Sequence, residues 1–279
     1  MKLALSVRVA ESFRDKHQAV MPLDALADLA AAEGYQGICM RASQLGVQTP
    51  LAEVRQASRR LADRGLAVSM VTGDFAVPEN SAQGPGSLRQ IGPSLDLAEA
   101  LGADLLRICM KDDEDIAWAQ RAADEAAARG LRLAHQCHTS SLFEQVDRFE
   151  QVLAQIGREN FGLIYEPANL DACGQDYGPA TIKRLAPHLF NVYVQNHRSN
   201  PTSRDVLTTW CRGEFRFDQI PLWSEGGLDF APIMKTLQEI GYDGYVTVHQ
   251  ASATLGTQEA VQQSARYLRT LAEFENRCD

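Results

Sequence analysis

Three side chains in this sequence have the types and placement to do chemistry together: Gln136, Glu166 and His249. Each lies at the end of a short apolar run, and each offers an oxygen or nitrogen that can bind a divalent cation. His249 can also move a proton near neutral pH, its unperturbed pKa being ~6.5. Glu166 can serve as a ligand or as the acid partner. Other runs also end in polar residues: Arg8, Arg41, Thr72 with Asp74, Lys111, His138 just beyond Gln136, and Gln195 with His197. Gln136 and His138 share a parity, so both can point to one side of an extended segment. Any one of these is ordinarily a solvated loop start. The whole set reads as a pocket, because polar groups from eight segments would converge on one place. Lys111 precedes Asp112, Asp113 and Glu114, which raise rather than lower an amine's pKa. It is therefore read as a surface lysine and not as a Schiff-base former.

The segments that must position these groups alternate regularly. Apolar strand runs are expected at 2–8, 37–41, 66–72, 104–110, 131–137, 161–166, 189–195 and 245–249. Helices are expected at 23–32, 51–64, 88–101, 113–129, 142–156, 180–185, 230–240 and 258–274. Pro93 marks a kink or restart in the third of them. Eight strand–helix units over about 250 residues give a single (β/α)8 TIM barrel spanning 1–279. The rival open sheet would carry a glycine-rich turn after its first strand, and Arg8-Val9-Ala10-Glu11-Ser12-Phe13 has no glycine. In such a barrel the strand C-termini carry the active site. One long connection, 196–227, is expected as a functional loop. It holds Trp210, Phe215, Phe217 and Trp223 with Arg198, Arg204, Arg212 and Arg216. Its aromatics can cover a small polar ligand or pack the loop down.

Lys plus Arg total 27 and Asp plus Glu 36, a net charge of −9. That argues against a nucleic-acid or anionic-membrane partner. No apolar run is long enough to span a bilayer, and the start of the chain lacks the pattern of a secretory signal. The six cysteines (Cys39, Cys109, Cys137, Cys173, Cys211, Cys278) form no CxxC pair. The expectation is a reduced, cytoplasmic protein.

Several passages carry a resemblance. Glu225-Gly226-Gly227-Leu228-Asp229-Phe230 precedes Gly241-Tyr242-Asp243-Gly244 and the run ending at His249. Tyr165-Glu166-Pro167-Ala168-Asn169-Leu170, Asn191-Val192-Tyr193-Val194-Gln195-Asn196 and Ala100-Leu101-Gly102-Ala103 complete the set. Together they resemble the xylose-isomerase-like TIM barrels, the sugar isomerase/epimerase superfamily that also contains endonuclease IV. The resemblance implies one divalent cation (Zn, Mn or Mg) held by four residues, normally Glu, Asp, His and Glu. Those positions fall here on Gln136, Glu166, Tyr193 and His249. Three carboxylates shrink to one, which lowers affinity for Mg²⁺ or Mn²⁺ and better suits Zn²⁺ or an empty site. Gln136 cannot take a proton, so two-base epimerisation is not expected, whereas one-base chemistry survives.

The leading expectation is a sugar or sugar-like isomerase or epimerase acting by proton abstraction next to a carbonyl. His249 is the base and Glu166 the ligand or acid. Arg41, His138, Asn169, Gln195, His197, Arg198 and Trp223 are the candidate substrate contacts. The metal set is Gln136, Glu166 and His249. The alternatives are a lyase or dehydratase on a keto-sugar or cyclic keto-acid, and a catalytically altered sugar-binding barrel. A three-zinc nuclease is disfavoured by the histidine count and the charge. The expected partner is a small carbohydrate-like molecule, and nothing selects between monomer and homo-oligomer.

Overall fold

The computed structural model describes residues 1–252 and 254–275; Cys278 lies outside them. The chain runs β1 (Lys2–Ser6), β2 (Gly37–Arg41), β3 (Ala67–Thr72), β4 (Leu105–Ile108), β5 (Arg132–Gln136), β6 (Phe161–Tyr165) and β7 (Leu189–Val194). It then makes an excursion through β8 (His197–Ser199), β9 (Val206–Thr209) and β10 (Gly213–Gln219), and returns as β11 (Tyr245–Val248). β1 to β7 and β11 close into a parallel barrel in the order β1-β11-β7-β6-β5-β4-β3-β2. The single (β/α)8 TIM barrel expected from the alternation is the fold.

The helices follow in turn: α1 (Leu23–Ala32), α2 (Leu51–Asp63), α3 (Gly84–Arg89), α4 (Gly92–Leu101) and α5 (Glu114–Ala127). After them come α6 (Val146–Ile156), α7 (Pro167–Ala172), α8 (Pro179–Leu185), α9 (Phe230–Glu239) and α10 (Thr257–Leu271). α1 buries Leu23, Leu26, Ala27 and Ala30, the stripe that its helical spacing demands. The helix expected at 88–101 is two helices. The chain breaks at Gln90 and restarts with Gly92-Pro93 in the first turn of α4, where proline costs no hydrogen bond. The short α7 had no counterpart in the sequence pattern. Pro167 starts it immediately after β6.

Two apolar layers hold the barrel. The larger lies between strands and helices, and takes Leu3, Leu5, Ile38, Met40, Leu106, Ile108, Leu133, Leu163, Val192 and Val194 from the strands. The smaller fills the lumen with Cys39, Met70, Leu105, Ala134, Ile164 and Tyr193. Side chains alternate between these layers along each strand, as the pleat requires. Near the last strand, Tyr242 donates its hydroxyl to the Tyr245 carbonyl at 3.0 Å and lies close against Gly244. A Cβ at Gly244 would collide with the Tyr242 ring, which accounts for the second glycine of that turn.

The 196–227 connection differs from an irregular loop. It contains an antiparallel sheet in the order β8-β10-β9. Phe215 is buried and His197 packs tilted against Phe215 and Phe217, so the aromatics serve the excursion's own core. Cys39, Cys109, Cys137 and Cys173 are buried free thiols and Cys211 is an exposed one. Among the described residues no helix is long and apolar enough to cross a membrane.

Candidate active site

One inward step beyond each lumen residue, the side chains change from apolar to polar. Arg41, Thr72, Arg107, Gln136, Glu166 and Gln195 stand two residues beyond Cys39, Met70, Leu105, Ala134, Ile164 and Tyr193. Ser6 and His249 complete the ring two residues beyond Ala4 and Thr247. All are buried except the half-buried Gln195. The strands thus build the site with the same two-residue period that packs the core.

Glu166 sits at the centre of one side of the ring. Its carboxylate accepts from the side-chain amides of Gln136, Gln195 and Asn169, the last at 2.6 Å. Asn169, on α7, also donates to the Cys137 carbonyl at 2.9 Å. Burial pushes Glu166 up to about 8, against the opposing pull of Arg107, the Gln195 amide and Lys16. Gln136 leaves its Oε1 buried without a partner.

His249 faces Ser6 across the seam between β1 and β11, with Nδ1 2.9 Å from Ser6 Oγ. Its ring stacks on Tyr193 at 3.8 Å and 5°. Burial first, then the charges of Arg41, Arg107, Arg8 and Lys16, hold His249 well below its ordinary pKa. Tyr193 is pinned by its hydroxyl, 3.3 Å from Cys39 Sγ.

A cationic cluster borders both groups. Arg41 donates twice to Glu11, at 2.7 and 2.9 Å, and Arg8 and Ser43 donate to the same carboxylate at 3.3 and 2.6 Å. Lys16 reaches from the loop after β1 to the Pro78 carbonyl at 2.8 Å. Burial, together with Arg41, Arg8 and Arg107, lowers its amine to about 7. A chain of net charge −9 therefore gathers positive charge at one end of its barrel.

The expected residues divide as follows. Arg41, Gln136, Glu166, Asn169, Gln195 and His249 come together in and around the ring. His138 lies at its edge, half-buried, with Nδ1 donating to the Thr139 carbonyl at 2.9 Å. Burial and the charges of Arg107 and Lys16 hold it neutral. His197 is turned to Asp171 at 2.7 Å and secures the excursion. Arg198 is exposed and approaches Asp218 at 3.6 Å. Trp223 packs against the main core. Arg8 stands beside the ring through Glu11. Lys111 stands outside it, bonded to the Ser140 carbonyl at 2.9 Å.

Three members were missed. Ser6 and Arg107 lie inside apolar runs rather than at their ends, and Glu11 follows a short 3₁₀ turn at Val7–Ala10. The available signal was parity: an arginine two residues past Leu105 must share its face.

As the residues stand, Gln136, Glu166 and His249 do not fit a divalent cation. Glu166 is the one carboxylate among them, and amide N–H groups occupy both of its oxygens. The remaining donors, Gln136 Oε1 and His249 Nε2, are neutral and lie in the field of several cations. Among the described residues, one trio of ligand atoms lies within 4.8 Å, from Glu144, Cys173 and Cys211. It is not part of the ring. Glu144 is already satisfied there by the backbone N–H groups of Ser140, Trp210 and Cys211.

Comparison with known proteins supports the architecture. No curated protein matches the chain. Among solved structures, the probable 3-DHS dehydratase AsbF from Bacillus anthracis superposes with a TM-score of 0.74 at 14% identity, covering 96% of this chain and 99% of that one. A xylose isomerase-like TIM barrel protein from Mycobacterium smegmatis in complex with magnesium gives 0.70 at 15%, covering 97% and 96%. D-allulose 3-epimerase from Methylomonas sp. gives 0.67 at 15%, covering 97% of each chain. At these identities the likeness is one of fold. The family model for the xylose isomerase-like TIM barrel matches residues 27–271. With its closed eight-stranded barrel and its ring of polar strand ends, the chain belongs to the xylose isomerase-like TIM barrel family.

Proposed function

We propose that the chain is an enzyme that moves a proton at a carbon beside the carbonyl of a small sugar-like substrate, an isomerisation carried by one base and one acid. The observation that supports this most is the opposed tuning of two groups of the same ring, at the ends of strands separated by β7. His249 is held neutral and Glu166 is pushed up to about 8. At pH 7 a carboxyl with that pKa is protonated in a ratio of about ten to one. A neutral imidazole and a protonated carboxyl in one pocket make a base–acid pair.

The roles follow from the contacts. In the tautomer that carries its proton on Nδ1, toward Ser6 Oγ, His249 keeps a free lone pair on Nε2, and no described residue claims that atom. It takes the proton from carbon, and negative charge develops on the carbonyl oxygen. Arg41 and Lys16, among the cations that depress His249, stabilise that charge. Glu166 delivers its proton to that oxygen and takes back the hydroxyl proton of the neighbouring carbon, which becomes the new carbonyl, while the proton held on His249 passes to the former carbonyl carbon. Gln136 Oε1, buried and without a partner, accepts a substrate hydroxyl. No step passes through a metal. Tyr193 fixes the plane of the imidazole.

A second reading, β-elimination of water, shares the first step. It is favoured by Glu166 holding a proton, because a departing hydroxyl needs an acid. The test is carbon-bound deuterium uptake from D₂O, followed by NMR over aldoses, ketoses, uronates and keto-acids. Wild type should exchange the hydrogen next to the carbonyl, and His249→Gln should lose at least about 10³-fold in rate. Exchange that persists in His249→Gln overturns the assignment. Loss of water from the product selects elimination.

A further inference from the structure

We propose that the substrate of this site carries a carboxylate, and that Arg107 is the residue that binds it. This deepens the reading just given and rests on the ring being the substrate site. Arg107 lies on β4, two residues past Leu105 of the lumen cluster, so its side chain enters the lumen. It is 4% exposed. Its Nε is buried without a partner, and no described residue makes a hydrogen bond or ion pair with its guanidinium.

The other buried charges are all answered. Arg41 is held by Glu11, Asp115 by Arg89 at 2.8 Å and Glu144 by three backbone amides, while Glu166, with its raised pKa, is largely protonated. Arg107 alone among them is unanswered within the described residues. The carboxyls that feel its charge are committed elsewhere: Glu166 to the amides of Gln136, Asn169 and Gln195, and Asp74 to the Val77 amide at 2.9 Å.

A buried guanidinium without a counter-charge is costly. A neutral sugar would not relieve that cost, because closing over it would exclude the last water from the arginine. A carboxylate would, since the guanidinium fork matches its two oxygens. A phosphate suits the site less well. Barrel phosphate sites use backbone N–H groups from the loops after the seventh and eighth strands, and here the loop after β7 is folded into its own antiparallel sheet. Binding also has a consequence for the base. Arg107 is one of the charges that hold His249 down. A carboxylate seated on it cancels that charge, so an acidic substrate strengthens the base that attacks it, whereas a neutral one does not.

The test is equilibrium binding, read by calorimetry without turnover. The probes are gluconate against D-glucitol, glucuronate against D-glucose, and inorganic phosphate. Wild type should prefer each acid over its neutral counterpart by about 30-fold or more, a margin of the size one charge-assisted bidentate contact confers. Arg107→Met should reduce the preference to within about 3-fold, and Arg107→Lys should retain part of it. His249→Gln should keep the preference while losing deuterium exchange, which separates failure of this proposal from failure of the proton-transfer reading. An acid preference that survives Arg107→Met overturns the proposal. So does its absence in wild type, whether both probes bind alike or neither binds. Phosphate binding tighter than either acid overturns the choice of carboxylate.

Discussion

Replacing Arg107 by methionine should make the free protein more stable, an unusual direction for a substitution in a barrel lumen. The side chain is buried, lacks an ion pair, and shares its surroundings with Arg8, Arg41 and Lys16. Methionine keeps most of the stem's packing and removes the charge. Replacing buried ionic groups by apolar ones of similar volume often stabilises by about 1–4 kcal/mol. A gain of about 2 kcal/mol is reasonable here. Unfolding entropy scales at about 2.1 cal/mol/K per residue, so a chain of this length has roughly 0.6 kcal/mol/K, and the gain appears as a Tm rise of about 3 °C. Arg41→Met is the matched control. It removes the bidentate contact to Glu11 and leaves that carboxylate with Arg8 and Ser43. Breaking a buried pair costs about 3–5 kcal/mol. The compensation from Arg8 puts the change near the lower end, a Tm fall of about 5 °C. Differential scanning calorimetry of both variants without ligand decides the matter. If Arg107→Met lowers Tm as Arg41→Met does, Arg107 has a resident partner and the argument from its isolation fails.

Four further outcomes can be measured. If Glu166 acts as the acid, its active form exists below its raised pKa, so kcat/KM should fall as pH rises through about 8, and Glu166→Gln should abolish that limb. His135, buried against Phe143, is lowered to about 3, so between that value and 6.5 the unfolded chain binds the extra proton. Its contribution is therefore whole above pH 6.5 and is lost on acidification, by at most roughly 5 kcal/mol near pH 3; in urea titrations His135→Gln should flatten the acid limb. Glu144→Ala strips the acceptor from Ser140, Trp210 and Cys211, should cost about 2–4 kcal/mol, and should shift the emission of Trp210, which is 56% exposed. Protein purified without chelator or histidine tag should carry well under one equivalent of Zn, Mn or Mg by mass spectrometry. A full equivalent lost in Glu166→Ala would show that the amides turn over to admit an ion.

The barrel was legible because its elements are short and their punctuation is local. α1 and β2 match the sequence pattern residue for residue. Strand ends were overrun by one or two residues at β4 and β5, because Cys109, Met110 and Cys137 are apolar but lie past the strand ends at Ile108 and Gln136. Six of the eight ring residues were visible as polar residues that end apolar runs. Arg107 was not, since a charge inside Leu105-Leu106-Arg107-Ile108 reads as an interruption until parity assigns it to the lumen. Glu11 and Arg41 pair across 30 residues, a distance over which sequence spacing carries no signal. His197 and Arg198 looked like binding residues by type. Only the fold shows them committed to Asp171 and Asp218.

Asn196 gives the excursion a further property. Its side chain donates to the carbonyls of Pro221 and Leu222 and accepts from the Leu228 amide, and its carbonyl accepts from Ile220 N. The chain therefore leaves and rejoins the barrel at one point, and a Cβ at Gly227 would collide with that asparagine. Residues 197–219 form a loop tied at its base by two side-chain amides, those of Asn196 and Gln250, the latter bridging Asn196 N and the Ile220 carbonyl. Such a segment can lengthen or shorten between its fastenings to Asp171 and Glu144 without altering the register of β7 against β11. The excursion can thus diverge between those ties while the ring of polar strand ends keeps its geometry.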